Sequence, residues 1–93
     1  MKLVYCKKCH DVFKLDSADE IRTCKCKLSK GYYITSNDVE IFGEHAVPLC
    51  IGWTSFYKAI ENRPKDEQAN KENPAYFKAW IPPRECNSID HTE

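Results

Sequence analysis

Six cysteines are the residues of this 93-residue chain whose type and spacing carry chemistry. Four fall in two tight pairs, Cys6-Lys7-Lys8-Cys9 and Cys24-Lys25-Cys26, separated by the fourteen residues from His10 to Thr23. Two thiolates two or three positions apart grip one cation from a single turn, and two such turns complete the tetrahedral four-sulfur shell that zinc prefers. The spacing reads as a structural zinc site, with Cys6, Cys9, Cys24 and Cys26 as ligands and Zn as the cofactor. A shell of four cysteines leaves the ion no open position for water.

The elements that must position these thiols are short. Lys2 to Tyr5 reads as a strand entering the first cysteine pair. The insert divides into an outgoing strand (Asp11 to Leu15), a polar turn (Asp16 to Asp19) and a returning strand (Glu20 to Thr23), a hairpin long enough to bring the second pair back beside the first. Leu28 to Gly31 then turns the chain, with Gly31 free to take a left-handed backbone. Tyr32 to Ser36 and Val39 to Gly43 form a second hairpin around Asn37-Asp38, its apolar side against the first in a sheet of about four strands.

Ala46 to Gly52 is the most hydrophobic stretch, and Pro48 confines it to extended chain or an edge strand. Thr54 or Ser55 caps a helix from Phe56 to about Asn62, burying Phe56, Ala59 and Ile60 at helical spacing, with Trp53 packed beneath its first turn. Pro64 ends the helix, and the charged run from Pro64 to Pro74 reads as a mobile, solvated loop. Tyr76 to Ile81 returns to strand composition and Pro82-Pro83 stops it. The expected organisation is a single domain over 1–83, with its zinc hairpin in 1–31, and a flexible tail over 84–93.

On Tyr5-Cys6-Lys7-Lys8-Cys9, Arg22-Thr23-Cys24-Lys25-Cys26, Gly31-Tyr32-Tyr33, Ala46-Val47-Pro48-Leu49 and Ile81-Pro82, most of the chain is similar to small single-domain proteins of bacterial and phage genomes. The pair-hairpin-pair arrangement resembles zinc ribbons. The resemblance implies an α+β, mainly β fold: a zinc ribbon of two cysteine knuckles on a β-hairpin, extended by a second hairpin, one short helix and a C-terminal strand. It implies no activity. Zinc ribbons often place glycine after the last cysteine of the second knuckle, where this chain has Lys27.

Composition bounds the setting. A chain of this size buries a modest core, so metal binding becomes folding energy. The N-terminus runs into the first cysteine pair without a long apolar stretch, so neither a signal peptide nor a membrane span is expected, and a cytoplasmic setting with reduced thiols follows. That sets zinc above a disulfide framework, which suits a secreted mini-protein. Cys6-Lys7-Lys8-Cys9-His10 also fits c-type haem attachment, but that chemistry needs export and a second axial ligand, and the only Met is the initiator. His10 reads as a polar residue at the knuckle edge, or as a substitute ligand if Cys24 and Cys26 do not both reach one ion.

Net charge is zero but uneven: residues 1–31 carry eight Lys/Arg against four Asp/Glu, and residues 32–93 carry six against ten. Four thiolates around Zn²⁺ leave the cluster at −2, and Lys7, Lys8, Lys25 and Lys27 are placed to offset it. The leading functional expectation is a regulatory or protein-binding module. Its candidate contacts are Tyr32, Tyr33, Trp53 and Trp80, with Lys14, Arg22 and Lys30 as electrostatic contacts. The first alternative is nucleic-acid binding, with phosphates on the basic half and bases stacked on Tyr32 or Tyr33; a pI near 6.8 argues against it. The second alternative, a thiol enzyme using Cys50 and His45, is not favoured, since Leu49-Cys50-Ile51 reads as buried and Cys86 has no assigned role. No membrane partner is expected, and the edges at Lys2 to Tyr5 or Tyr76 to Ile81 are the places where a dimer would form.

Overall fold

The computed structural model of the chain describes residues 1–62, 74–83 and 86–93. It divides into two compact units, one of Lys2–Cys50 with Ile81–Glu93 and one of Met1 with Ile51–Trp80. The expected mobile loop after Pro64 lies outside the described residues up to position 73. The architecture is mainly β with one short helix.

In the larger unit, β1 (Lys2–Cys6) lies between β2 (Val12–Lys14) and β6 (Ala46–Ile51), antiparallel to both. A second sheet runs in the order β3 (Arg22–Thr23), β4 (Lys30–Tyr33), β5 (Val39–Phe42), β8 (Ile89–Thr92). Side chains alternate as the pleat requires, and the inward set makes one core. Val4 and Ala46 from the first sheet meet Val39, Ile41 and Ile89 from the second, with Leu15 between them and Phe13, Tyr33 and Cys86 packed alongside.

The expected hairpin between the cysteine pairs does not form. β2 pairs with β1 (Val4 opposite Phe13), and β3 pairs with β4 (Arg22 opposite Gly31), so the two strands of the insert belong to different sheets. The reason is that each cysteine knuckle is itself a hairpin turn, which commits each insert strand to the strand across its own knuckle. Between β2 and β3 the chain crosses from one sheet to the other, and the Asp16 carbonyl accepts the Tyr33 N–H at 2.6 Å. The second hairpin is present, with Tyr33 opposite Val39, but as part of the second sheet.

Two glycines are steric requirements. Gly31 does not turn the chain left-handed; it sits in β4, where a Cβ would lie 2.9 Å from the Glu40 carbonyl oxygen and 3.0 Å from Leu15 Cδ2. Gly43 has φ +118°, and a Cβ there would stand 2.4 Å from the Leu28 carbonyl oxygen, so the end of β5 rests directly on the second knuckle.

The C-terminal segment is the other correction. Where a polar tail was expected, β8 pairs in parallel with β5, Val39 opposite Ile89 and Phe42 opposite Thr92. Ile89 is 4% exposed and belongs to the core. One apolar residue among polar neighbours was enough, because an edge strand needs to bury only alternate positions.

In the smaller unit, helix α1 (Trp53–Asn62) begins three residues before the expected start. Gly52 acts as its N-cap: its carbonyl accepts the Phe56 N–H at 2.9 Å and the Ser55 hydroxyl at 3.0 Å. Thr54 and Ser55 are therefore inside the first turn. Ser55 Oγ also accepts the Lys78 N–H at 2.9 Å, and Gly52 N–H donates to the Lys78 carbonyl at 2.9 Å, which holds the chain before β7 (Ala79–Trp80) against the helix start. The strand expected over Tyr76 to Ile81 shrinks to those two residues. Of the helix, Ala59 is the buried residue, and Ile60 stays 43% exposed. Among the described residues no helix is long and apolar enough to cross a membrane.

Replacing Ile89 with alanine tests the place of the last strand. A core truncation of this kind costs about 2–5 kcal/mol. A urea titration of Ile89→Ala should show a loss in that range, whereas a tail residue would leave the midpoint unchanged.

Candidate metal centre

The first knuckle is the turn between β1 and β2. It closes where the Cys6 N–H donates to the Asp11 carbonyl at 2.9 Å, and the His10 N–H returns to the Cys6 carbonyl at 2.8 Å. The second knuckle is the turn between β3 and β4, where the Cys24 N–H donates to the Ser29 carbonyl at 2.9 Å and the Lys27 N–H to the Cys24 carbonyl at 3.0 Å. Both turns close across the same interval, Cys6 to Asp11 and Cys24 to Ser29. The second knuckle has one residue fewer between its cysteines and one more after them, so the tighter pair does not shorten the hairpin.

Both turns bend through a left-handed residue just after the last cysteine, His10 at φ 63° and Lys27 at φ 66°. At Lys27 this chain holds a lysine in the backbone region that glycine enters without steric cost. A left-handed residue with a Cβ costs about 1–2 kcal/mol, which the hydrogen-bonded turn has to offset.

With the turns set, the four cysteine sulfurs lie within 4.8 Å of one another. Cys24 Sγ and Cys26 Sγ are 3.4 Å apart, and Cys6 Sγ and Cys26 Sγ are 3.7 Å apart across the two knuckles. A tetrahedral zinc with sulfurs at about 2.3 Å separates them by about 3.8 Å, so the cluster has the dimensions of one four-coordinate cation. Cys6 and Cys24 are buried, while Cys9 and Cys26 reach the surface in part.

Backbone amides and a hydroxyl surround the sulfurs. The Ser29 N–H donates to Cys24 Sγ at 3.4 Å. Burial pushes the Cys6 thiol up, but the Ser29 hydroxyl and the backbone N–H groups of Cys9 and Lys8 outweigh it and bring the pKa down to about 6. Ser29 is wholly buried and its Oγ has no well-aligned partner of its own, so the Cys6 sulfur beside it is the acceptor at hand. Cys24 is also lowered: burial acts against it, and the Ser29 N–H prevails. Cys26 goes the other way. The Leu28 N–H favours its thiolate, but burial and the neighbouring sulfurs of Cys24, Cys9 and Cys6 push it to about 12. Four thiols this close cannot all ionise unless a cation is among them.

The knuckles are tied together without metal as well, where the Lys25 N–H donates to Asp11 Oδ2 at 3.1 Å. The Lys7 N–H donates to the His45 carbonyl at 2.9 Å, which fixes the first knuckle to the turn before β6. His10 does not join the sulfurs; its Nδ1 lies 2.6 Å from the Tyr5 hydroxyl. Sequence reasoning missed Asp11 and Ser29 as supports of the site, because an aspartate and a serine beside a turn carry no pattern that marks them.

The remaining candidate residues separate. Tyr33 packs beside the core and accepts the Lys2 N–H on its hydroxyl at 3.0 Å. Tyr32 stacks on Phe42 with ring centroids 6.2 Å apart, and its hydroxyl donates to Glu40. Arg22 is held by Asp16 at 3.0 Å and Glu20 at 3.5 Å. Lys30 sits over the Phe42 ring at 5.3 Å, and Lys14 is exposed on β2. Trp53 and Trp80 are each 46% exposed, so Trp53 lies open on the helix instead of beneath its first turn. Tyr57, which the sequence reading passed over, stacks on Trp53 with centroids 5.5 Å apart and is 54% exposed. Cys50 is buried, and burial raises its thiol pKa. His45 lies in the turn before β6, and its Nε2 pairs with Glu44 at 3.5 Å.

Comparison with protein-family models, with curated proteins and with solved structures finds no match.

The left-handed lysine gives a direct test of the knuckle. Lys27→Gly should raise stability by about 0.5–1 kcal/mol, since the relief of the backbone cost exceeds the entropy that glycine adds to the unfolded chain. Chemical denaturation with metal present measures it.

Proposed function

We propose that this chain is a zinc-ribbon-like binding module, with Cys6, Cys9, Cys24 and Cys26 holding one structural zinc and no chemistry performed at the metal. The observation that carries the reading is the convergence of four sulfurs, two from each of two knuckles, within 4.8 Å. Four cysteine ligands close the shell of a zinc ion, and a closed shell serves structure. Zinc is favoured because sulfur-rich tetrahedral sites select it or iron, and zinc needs no redox partner. All six cysteines are free thiols, which fits a reducing compartment such as the cytoplasm. The functional contacts then fall to the exposed aromatics of the helical unit, Trp53 and Trp80, with a protein as partner.

A second reading rests on the charge at the knuckles. Lys7, Lys8, Lys25 and Lys27 are exposed, and none has a salt-bridge partner among the described residues. Four ammonium groups around a −2 cluster leave this end of the unit positive. That favours a polyanion such as single-stranded nucleic acid, whose binding would fall steeply with salt.

Metal analysis of protein purified without added metal decides the leading reading. One zinc per chain is expected. Cys24→Ser/Cys26→Ser should lose both the zinc and the cooperative unfolding transition, because binding worth roughly 10–16 kcal/mol matches the whole stability of a typical domain. A metal-free protein that unfolds at the same denaturant midpoint as the zinc-loaded form would remove the structural role.

A further inference from the structure

We infer that Cys50 and Cys86 are a redox pair: a hydroperoxide oxidises Cys86, and Cys50 closes on it to form a disulfide that links the two sheets at the end opposite the metal site.

The pair is placed by strand register. Cys50 lies opposite Lys2, as Ala46 lies opposite Cys6, so β1 has a knuckle end at Cys6 and a far end at Lys2. Ala46, Pro48 and Cys50 are the buried alternate residues of β6, which turns the Cys50 thiol inward between the sheets. In the second sheet the far end is marked by Tyr33, Val39 and Ile89, side by side across β4, β5 and β8. Cys86 turns onto Ile89, its carbonyl accepting the Ile89 N–H at 3.1 Å, and packs against the core. Lys2 ties the two far ends together: its backbone N–H donates to the Tyr33 hydroxyl at 3.0 Å, and its Nζ to the Asn37 carbonyl at 2.7 Å. One free cysteine from each side of the core therefore stands at this end. The two thiols lie in each other's field: a charge on Cys86 opposes one on Cys50, and the Lys2 ammonium favours the thiolate at both.

Their surroundings divide the roles. Cys86 lines an open groove of about 620 Å³. Ser88 Oγ lies 3.5 Å from its sulfur, and that hydroxyl, with the Ser88 N–H, holds the thiol below its usual range against the effect of burial. An accessible thiol with thiolate character is the one a peroxide oxidises first. Cys50 is 6% exposed and burial pushes its thiol up, so it stays protonated until a sulfenic acid forms beside it. The charged side chains of the groove are Glu40 and Asp90, which repel an anionic disulfide such as oxidised glutathione and leave a neutral hydroperoxide as the oxidant.

With hydrogen peroxide, the Cys86 thiolate attacks one oxygen; the S–O bond forms, the O–O bond breaks, and hydroxide leaves to be protonated by solvent. The Cys50 thiol then gives up its proton, its sulfur attacks that of Cys86, the S–S bond forms, and the S–O bond breaks. The second hydroxide leaves with that proton as water. One peroxide is reduced to two waters, and each sulfur gives up one electron. The new bond closes a covalent loop that contains the whole of residues 51–80.

The inference does not rest on the metal or on the binding-module reading. Its test is hydrogen peroxide added in small excess to the zinc-loaded full chain, with free thiols then blocked by N-ethylmaleimide, peptides mapped by mass spectrometry, and zinc measured on the same samples. The expected first product is the Cys50–Cys86 disulfide, reversible by dithiothreitol, with zinc retained. In Cys50→Ala, dimedone should label Cys86 as its sulfenic acid, and Cys86→Ser should slow oxidation of Cys50 by about 10-fold or more, both variants keeping the circular dichroism of the parent. Three results overturn the proposal: Cys86 oxidised alone while Cys50 stays free in the parent chain, the four knuckle cysteines oxidised first with loss of zinc, or Cys86 disulfides formed only between copies. A chain that forms the pair but holds no zinc supports the proposal and counts against the metal assignment alone.

Discussion

The structure depends on the meeting of two turns. Each cysteine knuckle closes a separate hairpin, and the two hairpins belong to different sheets. The sulfurs are therefore the point at which the sheets are joined at one end, while Val4, Leu15, Ile41 and their neighbours join them through the core. Among the described residues the core cluster holds six buried side chains, which is small, and small domains need a staple in addition to burial. Asp11, bonded to the Lys25 amide, shows that the join is supported by ordinary hydrogen bonds too.

Electrostatics explains why such a join calls for a cation. The backbone N–H groups and the Ser29 hydroxyl favour a thiolate at Cys6, and the first negative charges then oppose ionisation of Cys26. Each favourable contact at one sulfur is an unfavourable one at the next. A doubly charged ion at the centre reverses the sign of every one of these interactions. The exposed lysines on the turns extend the same compensation outward.

Cysteine spacing, the β4–β5 hairpin and a single helix were legible in the sequence because each leaves a local signature: paired thiols, a turn dipeptide between β-branched runs, helical periodicity. What failed was the pairing of strands. Asp11 to Leu15 and Glu20 to Thr23 look like two arms of one hairpin, and only the fact that each knuckle is already a turn assigns them elsewhere. Ile89 was hidden because a single apolar residue among Asn87, Ser88, Asp90 and His91 does not make a pattern until its partner strand is known. The open stripe of α1 was hidden by the helix start: counting from Phe56 leaves Trp53 outside, whereas Gly52 as N-cap brings Trp53, Tyr57 and Ile60 onto one face. The sulfur cluster itself was fully specified by four residues.

That each knuckle is a complete local turn also orders events in time. Two cysteines within one hairpin are neighbours in sequence, so either pair can meet an ion long before the sheets find each other, and closing so short a loop takes on the order of 10–100 ns. An ion held by one pair would keep exchangeable ligands such as water in its other positions, for the second pair to displace. It would turn the slow search between two sheets into capture at a single reactive point. The second pair lies fifteen residues further along the chain, at the end of the segment that carries the chain from the first sheet to the second. The metal would then act as a nucleus for assembly, and its release would require both sheets to part at that end first.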